Sequence, residues 1–345
     1  MARLSRYRIG EEEIDNLIME LVEKAEGREL NKDLVQEMIT SAIRMVRECN
    51  DRGDLKIANA ALKEMRYAFN VFESYRGQKK ASIFGSARTL IDHALYKTTR
   101  DLGAALVEED WMVITGAGPG IMTAGIEGAG SEMSFGVGIK LPFESTTSQF
   151  ISGDPKLVNF RYFFTRKLMF MKESSGFVLM PGGFGTMDEG FELLTLMQTG
   201  KMMSSPVVFL DEPGGTFWER WDHFVRDSLI KDSYVGANDT DLYLVAKDVP
   251  EAINELTHFY NNYISQRFVS GIMVLRMKRA VPDSVLQSLN KDFADIIAAG
   301  EIERCEISKE ELKDKDNIDA HRLRLQFDKR HWASMRQIIN RINDY

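Results

Sequence analysis

The residues whose types and spacing point to chemistry gather in one stretch, Phe177-Val-Leu-Met-Pro-Gly-Gly-Phe-Gly-Thr-Met-Asp-Glu189. Four apolar residues, Phe177 to Met180, are enough for a buried strand. Gly182, Gly183, Gly185 and Thr186 then make a turn that opens a helix. Glycine lets the backbone approach a bound group closely. A helix start presents free N–H groups and the positive end of its dipole. Such a turn favours an anion, most often a phosphate. Asp188 and Glu189 follow one turn into the same helix. An acid beside an anion site is electrostatically unfavourable, so it either has another task or merely complements the helix dipole. Upstream, Arg166 and Lys167 sit among Phe163, Phe164, Leu168, Met169 and Phe170. They read either as a solvated pair or as part of a largely buried helix. In the second case the arginine needs a carboxylate or a phosphate as partner.

Two more glycine turns follow apolar runs: Phe84-Gly-Ser-Ala-Arg88, with Gly85 and Ser86, and Gly116-Ala-Gly-Pro-Gly120. The second alternates its glycines and so departs from the G-x-G-x-x-G of nicotinamide cofactor sites. A structural turn and a phosphate or ribose contact both remain open for it. The five histidines show no ligand spacing, and Cys49 and Cys305 are far apart and match no metal pattern. Ser86 lacks the G-x-S-x-G elbow of a hydrolase nucleophile.

These turns need a scaffold. Residues 79–265 alternate strand and helix signals, with strands expected at Ala81–Phe84, Trp111–Thr115, Phe135–Leu141, Phe177–Met180, Pro206–Leu210 and Leu242–Ala246. A helix is expected over Asn159–Glu173 and another over Phe217–Ile230. That alternation predicts a parallel sheet with helices on both faces, and ligands bind such sheets at the carboxyl ends of the strands. All three glycine turns fall there. Residues 1–78 read as a helical extension, with apolar stripes such as Ile14, Leu17, Ile18, Leu21 and Val22 and a break at Gly27. Residues 266–345 read as a small β-α-β-β-α module, ferredoxin-like in order. Its first helix is expected over Pro282–Ala299, stopped by Gly300, and the charged Glu310–Asn317 is expected to be a loop.

The chain has 345 residues, 44% of them hydrophobic, and can bury a sizeable core. Its net charge of −8 and pI near 5.4 argue against a nucleic-acid-binding face. The basic start, Met-Ala-Arg-Leu-Ser-Arg-Tyr-Arg, lacks the apolar segment of a signal peptide. No run of about 18 apolar residues suggests a membrane span. The expectation is a soluble cytoplasmic protein with neither nucleic-acid nor membrane partners.

Taken together, Phe84-Gly-Ser-Ala-Arg88, Gly118-Pro-Gly-Ile-Met122, Tyr162-Phe-Phe-Thr-Arg-Lys167 and Pro181-Gly-Gly-Phe-Gly-Thr-Met-Asp-Glu189 resemble the LOG (Lonely Guy) family. Its members are nucleoside 5′-monophosphate phosphoribohydrolases, often mislabelled "possible lysine decarboxylase". The resemblance covers about residues 79–265. It implies a Rossmann-like, doubly wound parallel sheet in a homodimer or higher homo-oligomer. It also implies hydrolysis of the N-glycosidic bond of a nucleotide such as AMP, giving free base and ribose 5-phosphate, with no metal or cofactor. Arg166 and Glu189 match the catalytic pair, and Gly182, Gly183, Gly185 and Thr186 match the phosphate turn. Gly85, Ser86, Gly118, Gly120, Lys167 and Asp188 complete the expected substrate site. Short members carry Met four residues after the arginine, near the base, where this chain has Phe170. Plain purines are therefore expected over cytokinin-type bases. Lysine decarboxylation needs a pyridoxal phosphate lysine, for which the sequence has no signature. Two alternatives stay open: a nucleotide sensor without turnover, and ribosyl-phosphate transfer to an acceptor other than water.

Overall fold

The computed structural model describes residues 7–25, 31–49, 51–140, 147–315 and 317–345. The break at Gly27 and the last residue of the third expected strand, Leu141, lie outside them. The chain forms two compact units, residues 1–66 and 67–345.

The first unit is helical: α1 (Glu12–Lys24), α2 (Lys32–Glu48) and the beginning of α3 (Arg52–Glu73). The amides of Ile9 and Gly10 donate to the Asp15 carboxylate at 2.8 and 3.0 Å, fixing the chain's entry into α1. Ile18 and Val22 are buried, whereas Leu17 and Leu21 of the same expected stripe are exposed.

The second unit contains both sheets. The first joins β1 (Lys80–Phe84), β2 (Met112–Thr115), β3 (Ser134–Ile139), β4 (Leu157–Phe160), β5 (Gly176–Leu179), β6 (Val207–Leu210) and β7 (Leu244–Ala246). All its pairings are parallel, in the order β4-β3-β2-β1-β5-β6-β7. Strands β1, β2, β5 and β6 are buried throughout. Strands buried along their whole length are what a sheet covered on both faces requires. The connecting helices are α4 (Ala94–Glu108), α5 (Ile121–Ala129), α6 (Phe163–Glu173), α7 (Phe184–Gln198), α8 (Phe217–Phe224) and α9 (Val249–His258). The chain winds outward from β1 to β4 and then returns to place β5 on the other side of β1. That reversal opens a crevice at the carboxyl ends of β1 and β5.

The expected helix over Asn159–Glu173 starts later, because Leu157–Phe160 forms β4 and Tyr162 is still extended (φ −110°, ψ 138°). Short apolar runs do not separate strand from helix by periodicity alone. The expected helix over Phe217–Ile230 is α8 followed by a π-helical segment, Val225–Ile230.

The C-terminal module comprises β8 (Tyr263–Val269), β9 (Ile272–Met277), α10 (Asp283–Asp292), β10 (Ile297–Arg304), α11 (Lys309–Asp314), β11 (His321–Phe327) and α12 (Trp332–Asn343). Its four strands are antiparallel in the order β10-β11-β9-β8. The module thus opens with a hairpin that the β-α-β-β-α reading lacked. The hairpin turns at Ser270 (φ 50°) and Gly271 (φ 87°), two consecutive left-handed residues that suit the twist of the strands. The helix expected over Pro282–Ala299 ends at Asp292. Gly300 is not its cap; with φ +73° it sits inside β10, where the register against β11 shifts.

The charged stretch read as a loop contains α11, started by a reciprocal cap between Ser308 and Glu311. Glu311 is buried and accepts from Arg276 Nε at 2.9 Å and Nη2 at 2.7 Å, with Arg322 Nε at 3.4 Å. This acid ties β9 to β11, and its two cations compensate its burial.

Helix α12 packs back onto the α/β layer. Trp332 lies against Gly200, just past α7, where a Cβ would sit 2.0 Å from the indole. Arg336 pairs with Glu255 of α9. Among the described residues, no helix is long and apolar enough to cross a membrane.

Candidate active site

A cleft of about 1300 Å3 runs along the carboxyl ends of β1 to β5. One end of it is the start of α7. The first hydrogen bond of that helix runs from Met187 N to Gly183 O at 3.1 Å. The amides of Phe184, Gly185 and Thr186 precede it and have no intrahelical acceptor. The glycines of this turn differ in purpose. A Cβ on Gly182 would lie 2.1 Å from Thr186 Oγ1, so that glycine lets the buried threonine fold under the turn. Around Gly183 and Gly185 a Cβ would meet nothing, and neither has a left-handed backbone. Nothing in the protein itself demands glycine there, and the backbone is open to close approach by a ligand. Gly185→Ala should therefore keep or slightly raise stability, by about 0.4–1 kcal/mol, whereas Gly183→Ala, at the N-cap of α7, should lower it slightly. At the same time they should raise KM for a 5′-phosphorylated ligand about tenfold. Thermal unfolding and initial rates test the pair of effects together.

Glu189 lies four residues beyond Gly185, about 6 Å along the helix axis. It is only 7% exposed, and its Oε2 is buried without a hydrogen-bond partner. Burial pushes the carboxyl up to about 7, against the attraction of Lys167 and Arg166 and with help from Asp188 and Glu192. Arg166 reaches in from α6. Its Nε donates to the Val137 carbonyl of β3 at 3.0 Å. Its guanidinium lies 5.3 Å from the Phe170 ring centroid and 6.0 Å from that of Phe163. Burial lowers its pKa and Glu189 opposes this; the arginine stays charged regardless. Gly116 makes the room: a Cβ there would lie 2.5 Å from Arg166 Nη2. The cleft thus holds a poised carboxylate and a braced guanidinium beside a helix N-terminus.

Residues 120–256 match the family model described as "possible lysine decarboxylase". A curated rice protein (Oryza sativa subsp. japonica), the probable cytokinin riboside 5′-monophosphate phosphoribohydrolase LOGL9, is 29% identical over 94 residues, or 27% of this chain. Over these residues the α/β domain is similar to the LOG family. The match spans 40% of the length of the rice relative. Among solved structures, the molybdenum cofactor binding protein of Rippkaea orientalis is similar at 16% identity and a TM-score of 0.39, over 52% of this chain and 96% of that one. The molybdenum cofactor carrier protein of Chlamydomonas reinhardtii is similar at 22% identity and a TM-score of 0.38, with the same coverage.

The remaining expected residues of the α/β domain divide between the cleft and its support. Gly85 and Gly120 bring the first two turns together. A Cβ on Gly85 would lie 2.5 Å from the Ile121 side chain, and one on Gly120 (φ +67°) would lie 2.4 Å from Ser86 O. Ile121 N donates to Ser86 O at 3.0 Å, so the first amide of α5 is taken up by the protein. Ser86 N donates to Pro181 O at 3.2 Å, tying the β1 turn to the β5 turn, and the Ser86 hydroxyl accepts from Arg88 N at 3.1 Å. Gly118 lines the cleft against Met122.

Lys167 is engaged by protein: its ammonium meets Asp188 at 2.7 Å and Glu192 at 2.6 Å. Burial alone would lower its pKa, but those two contacts and the field of Glu189 outweigh it and raise it. Asp188 thereby gains a function that the sequence left open, linking α7 to α6. Phe170 is fully buried, edge-on to Phe84 at 4.9 Å, and backs Arg166 from below. The sequence reading did not single out Gly116 as the seat of the guanidinium, or Met122 and Asn159 as cleft wall. The alternating glycines were the only signal for the first, and the last two carried none.

Proposed function

We propose that this protein hydrolyses the N-glycosidic bond of a nucleoside 5′-monophosphate, with AMP as the reference substrate, to free base and ribose 5-phosphate. The observation that carries this reading is the buried, unpartnered carboxylate of Glu189 one helical turn from an open, glycine-lined helix N-terminus. The turn takes the 5′-phosphate, and the acid then lies beside the sugar. As the C1′–N bond breaks, its electron pair leaves with the base and positive charge grows on the ribose. Ionised Glu189 stabilises that charge in a partly dehydrated site. It also orients the water whose oxygen bonds to C1′; one water proton passes to Glu189 and on to the departing base. Arg166 fixes the sugar-phosphate and holds Glu189 nearer its charged form. The family match agrees with the chemistry.

Incubating the protein with AMP, GMP, CMP and IMP and resolving products by chromatography tests the reading. Base and ribose 5-phosphate should appear in equal amounts; intact nucleotide after prolonged incubation would reject it. The proposal includes a homo-oligomer. Phe163, Phe164 and Phe191 are 54, 55 and 44% exposed on α6 and α7, and Phe184 at the mouth of the cleft is 96% exposed. An apolar surface of this kind beside a site suits a second copy of the chain, and sedimentation velocity reads it.

A further inference from the structure

We propose that Asn159 reads the base and is the residue that discriminates 6-amino from 6-oxo purine nucleotides; this rests on the hydrolase reading above. The cleft has a direction. Its anion turn follows β5 and is tied to β1 through Ser86 and Pro181. The Arg166 guanidinium lies over β2 and β3, between Gly116 and the Val137 carbonyl. Beyond it, at the far end of the sheet order, comes β4 with Asn159 in the cleft wall. A nucleotide with its phosphate on the turn and its sugar at the carboxylate and guanidinium extends its base toward β4.

Asn159 is built to meet it. Val158 and Phe160 are buried, and the alternation of the strand puts Asn159 on the open side. Its cross-strand partner is Gly138, where a Cβ would lie 2.6 Å from Asn159 Oδ1. The glycine thus leaves the carboxamide room to lie along the cleft floor. Among the described residues, no hydrogen bond engages that carboxamide. A carboxamide presents one acceptor and one donor group side by side. It pairs in two places with the N6 amino group and N7 of adenine. Hypoxanthine and guanine offer two acceptors on that edge and can use only the donor. Lys140, at the end of β3, is the charged group in the same wall. It would hold the phosphate if the nucleotide lay the other way round.

The test compares AMP with IMP in wild type and Asn159→Ala. The kcat/KM ratio of AMP to IMP should fall about tenfold in the variant, through loss of AMP turnover, with thermal stability unchanged. An unchanged ratio overturns the proposal, whether both substrates weaken equally or neither does. Lys140→Met should leave KM for both nucleotides within about twofold; a uniform tenfold rise would mean the reversed orientation and also overturn it. If wild type cleaves neither nucleotide, the hydrolase reading fails on its own. Calorimetric Kd values for AMP and IMP in the same proteins then judge Asn159 by the same ratio, and failure of wild type to bind either nucleotide overturns it.

Discussion

Replacing Glu189 with glutamine should lower kcat for base release by about 10²–10⁴, the usual worth of a positioned proton-transfer group. KM should change little, because the phosphate turn is untouched. The acid limb of kcat/KM in wild type should lie near pH 7, where the carboxyl ionises, and the residual activity of the variant should lack it. Stability should move the other way. The ordinary value for the carboxyl is 4.5 and the folded value about 7, so the native state holds the proton more tightly. That contribution is fully present below pH 4.5 and is lost as pH rises through 7. Glutamine stays neutral, so at pH 8 the variant should be more stable than wild type, by up to about 3 kcal/mol, and near wild type at pH 4. Urea denaturation at the two pH values measures this. A variant less stable at pH 8 would mean that the carboxylate is held by partners rather than strained by burial. A kcat loss under about tenfold would remove Glu189 from the chemistry.

Much of this site was legible because its parts are local. Turn, helix start and acid lie within thirteen residues of sequence, and their physics is that of glycine, dipole and charge. The division of labour among the glycines was not legible. Gly182 serves Thr186, while Gly183 and Gly185 leave open space, and only coordinates separate the two cases. The brace on Arg166 was invisible for a related reason. Its acceptor is a backbone carbonyl 29 residues away, and a carbonyl has no sequence signature. Lys167 could be read as a substrate ligand until Asp188 and Glu192 were seen to occupy it. The sheet was clear where strands are buried on both faces and unclear at its edge. There β4 is short, half-open and continuous with an aromatic helix, and Asn159 sits where local reading placed a helix start. Glu311 makes the same point in the other module. A run of charges reads as solvated unless its cations are known to come from distant strands.

Replacing Arg166 separates its two contributions. Arg166→Met removes the positive neighbour of Glu189, so the Glu189 carboxyl should rise further and the acid limb of kcat/KM should move to higher pH. It should also cost about 10²–10³ in kcat, comparable to losing one preorganised stabilising donor. Arg166→Lys keeps the charge but loses the planar fork, the Nε bond to Val137 O and the packing over Phe170. It should therefore leave the acid limb near its wild-type position and still lose most of the rate, since the two cations are not interchangeable at a braced, stacked site. If the guanidinium acts partly by holding Glu189 charged, the Glu189→Gln/Arg166→Met double variant should lose less than the product of the single losses. Strict multiplication of the two would assign Arg166 to phosphate or sugar binding alone. A limb that stays near pH 7 in Arg166→Met would show that burial, with Lys167 as the remaining counter-charge, sets the Glu189 carboxyl without it.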